Sequence, residues 1–112
     1  MCIRDSVQVV LALCINGLQA LTQGGSLWLQ VIDSGTERGI AVSNDGPPIS
    51  AEMKERIFDP FVSTRDQGVG LGLAIAWRII DSHGGRLAVE DRPEGGVVFT
   101  LMLPPAQPER NP

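Results

Sequence analysis

Cysteine is scarce in this chain of 112 residues: Cys2 and Cys14 stand alone, with no second pair and no histidine at ligand spacing. That excludes a disulfide framework and a thiolate zinc site, and it makes a reducing, cytoplasmic setting the default. Basic residues are few as well. A net charge of -4 and a pI near 4.8 leave no broad electrostatic footprint for nucleic acid or an anionic membrane. Long apolar runs are also missing, since the longest, residues 9–15, falls far short of the roughly 20 residues that cross a bilayer.

What is present suffices for one domain, because 43% apolar residues over this length build one core and leave no room for a second. Residues 1–6 read as the translation of a sequencing-library adapter, a fusion scar outside the fold, with the native protein continuing upstream of Val7. The domain is expected over 7–103. The proline-rich segment 104–112 is expected to be a disordered linker.

Val7, Val10, Leu11, Cys14, Ile15, Leu18 and Leu21 recur at spacings of three and four, which predicts a helix with that stripe on the core. Gln8, Ala12, Asn16 and Gln19 form a neighbouring stripe, and Gly24 and Gly25 end the helix. Residues 26–32 and 39–43 are β-rich runs around a turn-forming segment, a hairpin. Pro47 and Pro48 lack the amide hydrogen of a ladder, so the chain leaves the sheet after Asn44. Ser50 is placed to N-cap a short helix over 51–56, with acidic Glu52 in its first turn.

A second long helix is predicted over 70–82, with Leu73, Ala76, Trp77 and Ile80 on one face and Gly84 or Gly85 as its stop. Residues 86–91 and 97–103 form a second hairpin about a Pro- and Gly-rich turn. Trp28 and Trp77 are expected to be packing residues, and Phe58 a core residue. The pattern is α+β, a two-layer α/β sandwich in which a mixed, mostly antiparallel sheet carries helices on one face.

Gly68, Gly70 and Gly72 open the second helix, where unpaired amides and the helix dipole favour an anion. Their spacing is neither that of the lysine-bearing phosphate loop nor that of the dinucleotide fingerprint. A surface loop tightening into a helix explains them equally well. The order of the surrounding blocks is more specific. Asn16 lies on a helix, Asn44-Asp45-Gly46-Pro47 ends a strand, Phe58-Asp59-Pro60-Phe61 makes a turn, and the glycine helix stops at His83-Gly84-Gly85.

From Gln8 to Leu103 the chain resembles the ATP-binding catalytic domain of sensor histidine kinases, of the short-lid, nitrogen-regulator type, with the N, G1, F and G2 boxes of that family in order. The resemblance implies a Bergerat-type fold binding ATP with Mg²⁺. Its ATP-binding set maps onto Asn16, Gln19, Asn44, Gly46, Ile49, Phe61, Ser63, Thr64, Arg65, Gly68, Gly70, Leu71, Gly72 and Leu73. Asn16 would ligate Mg²⁺ through its side-chain oxygen. Ser63, Thr64 and Arg65 would contact the terminal phosphates from the lid, though a solvated Arg65 is the plain alternative.

Asn44 stands where the family usually has an aspartate that accepts from the adenine amino group, a change costing about 1 kcal/mol. Pro48 replaces a glycine, Val69 a hydroxyl residue, and Ala12 the polar residue one turn before Asn16.

By the same resemblance the γ-phosphoryl group passes to a histidine on the protein's own upstream dimerisation segment, and a response-regulator receiver domain is the partner. No nucleophile lies in this chain, and His83 reads as a helix-end residue. The full-length protein would be a homodimer with this domain cytoplasmic. Two alternatives stand beside this: a nucleotide-binding or docking module without kinase activity, and an anti-sigma-type serine kinase of the same fold.

Overall fold

The computed structural model describes residues 3–21, 23–59 and 72–104. Helix α1 (Ile3–Ala20) leads into strands β1 (Leu27–Asp33) and β2 (Arg38–Asn44). Then come the short α2 (Ala51–Arg56), α3 (Gly72–Ser82), and strands β3 (Arg86–Asp91) and β4 (Val97–Leu103). The sheet order is β1-β2-β4-β3, and every pair among these strands is antiparallel. The two hairpins are therefore where the turn residues put them. In the first, β1 is shifted by one residue from the expected β-rich run, and β2 extends one residue further at each end.

Directly opposed residues share a face of the sheet. Ile40, Val42 and Asn44 of β2 thus face the same way as Leu101, Phe99 and Val97 of β4 and as Leu87 and Val89 of β3. The helices cover this face, where Val9, Leu13, Leu73, Ala76 and Ile80 meet Val42, Phe99 and Leu101 in one core. Each fully buried large side chain contributes about 1.5–3 kcal/mol. Phe58 packs its ring edge against Phe99, with centroids 6.3 Å apart, and so joins the core as expected.

The buried face of α1 differs from the predicted stripe. Val9 and Leu13 are 0% exposed, whereas Leu11 and Leu18 are more than half exposed, with Val7 and Ile15 beside them. Gly17 is the reason. A Cβ there would come within 2.5 Å of Leu27 Cδ1, so the helix sits closest to the sheet at a residue without a side chain. Residues 9, 13 and 17 then set the phase at a spacing of four. The longer apolar stripe is turned away from the core.

Helix α3 buries Leu73, Ala76 and Ile80, with Ala74 in addition, but Trp77 is 41% exposed. Trp28 is also partly exposed, on the open face of the sheet under the guanidinium of Arg92, 4.3 Å from the ring centroid. Neither tryptophan is a core residue, because each falls on a side that no second layer of the described residues covers.

The helix ends hold as predicted. Ser50 accepts from the Met53 N–H at 3.1 Å. After α3, Gly85 N–H donates to Ile80 O and Gly84 N–H to Asp81 O, the paired bonds of a Schellman cap with Gly84 at φ +75. His83 Nδ1 lies 2.7 Å from Ile79 O, the helix-end role expected of it. Its Nε2 lies 3.9 Å from Asp5, on the part of α1 that precedes Val7.

Among the described residues no helix is long and apolar enough to cross a membrane. The linker expected over 104–112 lies outside the described residues except for Pro104.

Candidate functional site

Where β2 ends and β4 begins, the core opens into a cleft of about 260 Å³. The second half of α1 contributes Asn16 and Ala20, and the loop after β2 contributes Pro47, Pro48 and Ile49. Ile57, Val97 and Phe99 complete the lining. Asn44 is the inmost polar residue, 2% exposed and the only buried polar or charged side chain among the described residues. Its place follows from β2: it is the last residue of the strand on the helix-facing side, opposite Val97.

The loop after Asn44 is tied down at several points. Asn44 Oδ1 accepts the Gly46 N–H at 2.9 Å, a local turn of the kind asparagine favours. Asp45 Oδ1 accepts the Ser26 N–H at 2.8 Å, pinning the loop to the start of β1. Gly46 lies against the last turn of α1, where a Cβ would meet Ala20 O at 2.9 Å. Pro47 and Pro48 then turn the chain across the cleft mouth. Among the described residues no charged side chain lines the cleft, and two amides sit in an otherwise apolar wall, a setting for a flat ring with polar edges.

The N-terminus of α3 adjoins the same region. A Cβ on Gly72 would lie 3.9 Å from Ala12 Cβ, one turn before Asn16 on α1. The start of α3 therefore lies against α1 one turn before Asn16. Ala12 offers only a methyl group at this contact.

Of the site residues read from the sequence, Asn16, Asn44 and Ile49 come together in the lining, with Gly46 hydrogen-bonded to Asn44 and Gly72 at the start of α3. Gln19 is exposed on α1 and outside the lining, and Leu73 is buried in the core. Phe61, Ser63, Thr64, Arg65, Gly68, Gly70 and Leu71 lie outside the described residues. Sequence reasoning did not single out Ala20, Ile57, Val97 or Phe99 for the site. Only the β2–β4 register carries Val97 and Phe99 beside Asn44. Nor did it single out Gly96, whose φ is +109 and which packs on the Asn44 carbonyl. Its place in a Gly-Gly turn was the available signal.

Comparison with known proteins matches residues 3–107 to the family described as histidine kinase-, DNA gyrase B-, and HSP90-like ATPase. The signal transduction histidine-protein kinase AtoS of Escherichia coli K12 is 39% identical over 98 residues, which is 87% of this chain and 16% of AtoS. Among solved structures, the nucleotide-free catalytic domain of histidine kinase ThkA is 41% identical at a TM-score of 0.80, over 90% of this chain and 67% of that one. ThkA has also been solved in complex with the response regulator TrrA, where it is 40% identical at a TM-score of 0.75, over 88% of this chain and 28% of that one. Full-length ShkA in complex with AMPPNP is 30% identical at a TM-score of 0.77, over 89% of this chain and 21% of that one. The chain thus spans about a fifth or less of the curated kinase it matches here. With the family model covering nearly its whole length and the same fold in the ThkA catalytic domain, the chain belongs to the histidine kinase-, DNA gyrase B-, and HSP90-like ATPase family.

Proposed function

We propose that this chain binds Mg·ATP and is the catalytic part, carried by residues 7–103, of a two-component sensor histidine kinase. The observation that carries the proposal is the apolar-walled cleft with buried Asn44 at its inner end and Asn16 on its flank. The base sits between Ile49, Ile57, Val97 and Phe99 with its polar edge on Asn44. The phosphates run past Asn16 toward the amides at the start of α3 and the preceding glycines, where the helix dipole favours their charge. By the family resemblance, Ser63, Thr64 and Arg65 would contact the terminal phosphate.

Asn16 supplies one neutral oxygen, which fits Mg²⁺, a cation that keeps several waters and takes its other ligands from phosphates. No cluster of three or more His, Cys, Asp or Glu able to hold a metal occurs among the described residues. When bound, the ion draws charge from the β- and γ-phosphates.

The chain's work is positioning and charge stabilisation, as is general for phosphoryl transfer. The bond from the γ-phosphorus to the bridging oxygen breaks, ADP leaves, and a P–N bond forms to a histidine on an upstream dimerisation segment. Ala12 itself supplies no base beside the phosphate end, which favours transfer over hydrolysis. A response regulator then takes the phosphoryl group, in keeping with the ThkA–TrrA complex. The whole protein is a homodimer with this domain in the cytoplasm.

Calorimetric titration with an Mg·ATP analogue tests the nucleotide site, and absence of heat at millimolar nucleotide sinks it. With radiolabelled ATP, this chain alone is expected to bind without acquiring label. Label on the isolated chain contradicts transfer to a histidine elsewhere.

A further inference from the structure

One wall of the cleft is carried by a helix with a light hold on the rest of the fold. Ile49 precedes α2 and Ile57 follows it, and both line the cleft. No residue of α2 itself is buried, although Met53 packs against the core. A charged tie adds to this hold: Lys54 Nζ lies 2.7 Å from Asp91 Oδ1. The lysine side chain is 23% exposed, so salt screens this pair less than one in open water.

Asp91 is a fixed point. It is the last residue of β3 and stands opposite Val97, which in turn stands opposite Asn44. The row Asn44, Val97, Asp91 thus crosses the sheet at the end where the cleft opens. In the turn that follows, Arg92 N–H donates to Gly96 O and Gly95 N–H to Arg92 O, each at 2.9 Å. The Arg92 guanidinium adds a bond to Gly95 O, and Gly96 packs on the Asn44 carbonyl. Lys54 therefore ties the wall on α2 to the strand end and turn that hold the floor.

We propose that Lys54 and Asp91 are positioning residues for the nucleotide; the proposal rests on the cleft being a nucleotide site. Their ion pair sets the spacing between Ile49 and Ile57 on one side and Val97 and Phe99 on the other. Neither residue lines the cleft. Without the pair α2 is less ordered before the ligand arrives, and the cost of ordering it lowers affinity.

Calorimetric titration with an Mg·ATP analogue tests this, because one variant separates the tie from plain charge. Asp91→Lys makes the chain more positive, which by charge alone strengthens the attraction for an anionic ligand. Loss of the tie has the opposite sign. Asp91→Lys and Lys54→Asp are each expected to weaken binding about three- to fivefold. The double variant with the charges exchanged is expected to return to within about twofold of the parent chain.

Tighter binding by Asp91→Lys overturns the proposal and leaves the nucleotide site standing. So does an unmoved affinity in folded single variants whose urea stability has fallen, the mark of a pair that serves only the fold. Single variants that weaken binding without recovery in the exchanged pair overturn it too. If the parent chain binds no nucleotide at millimolar concentration, the nucleotide site itself fails, and the proposal with it.

Discussion

Gly96 packs directly on the carbonyl of Asn44, so closely that a Cβ on Gly96 would overlap that oxygen. Its φ of +109 is also one that other residues rarely adopt. The turn before β4 thus holds the end of β2, and with it the floor of the cleft. Gly96→Ala is expected to cost about 2–4 kcal/mol through strain and overpacking. Urea denaturation measures this, and a change below about 0.5 kcal/mol would show that the turn moves freely away from Asn44.

The phase of α1 rests on Gly17 rather than on the apolar stripe. Leu13→Ala is expected to cost about 2–5 kcal/mol, as for a fully buried leucine, whereas Leu18→Ala stays within about 0.5 kcal/mol in this chain. Thermal melts of the two variants decide it: equal costs would place the predicted stripe on the core after all.

Asn16→Ala separates metal binding from base binding. The side chain is only partly buried, so stability is expected to change by less than about 1 kcal/mol. The gain in nucleotide affinity on adding Mg²⁺ is expected to be lost, while metal-free binding is little changed. Calorimetry with and without chelator reads this. An Mg²⁺ enhancement equal to that of the parent chain excludes Asn16 as a ligand.

Burial pushes the Cys14 thiol above its ordinary value of 9.0. The unfolded chain therefore loses this proton first as pH rises. The stability contributed by the protonated thiol is fully present below pH 9.0 and is lost as pH climbs toward the raised folded value. The sequence has no tyrosine to titrate in the same range. Cys14→Ala is expected to flatten this alkaline decline in urea-denaturation stability, and an unchanged slope would assign the decline to other groups.

Much of the fold was legible because its signals are local. Both hairpins, the Ser50 cap and the glycine stop after α3 follow from residues whose backbone preferences act within a few positions. The core faces of α1 and α3 were less so. Periodicity finds where apolar side chains recur, but it does not weigh a glycine that lets a helix settle closer, nor does it say which side of a helix a second layer reaches. Gly17 turned Leu11 and Leu18 outward, and Trp77 lies on a side of α3 left 41% exposed.

The site divides in the same way. By itself the sequence determined which chemistry was on offer: an amide on a helix, an amide at a strand end, and glycines opening a second helix. Those are properties of residue type and order. Only the tertiary structure decided that Asn44 is buried to 2% exposure with its oxygen accepting from Gly46, that Val97 and Phe99 wall the cleft, and that Gly96 holds the floor in place. Those relations come from strand register and close packing between segments far apart in the chain, and no local preference encodes either one.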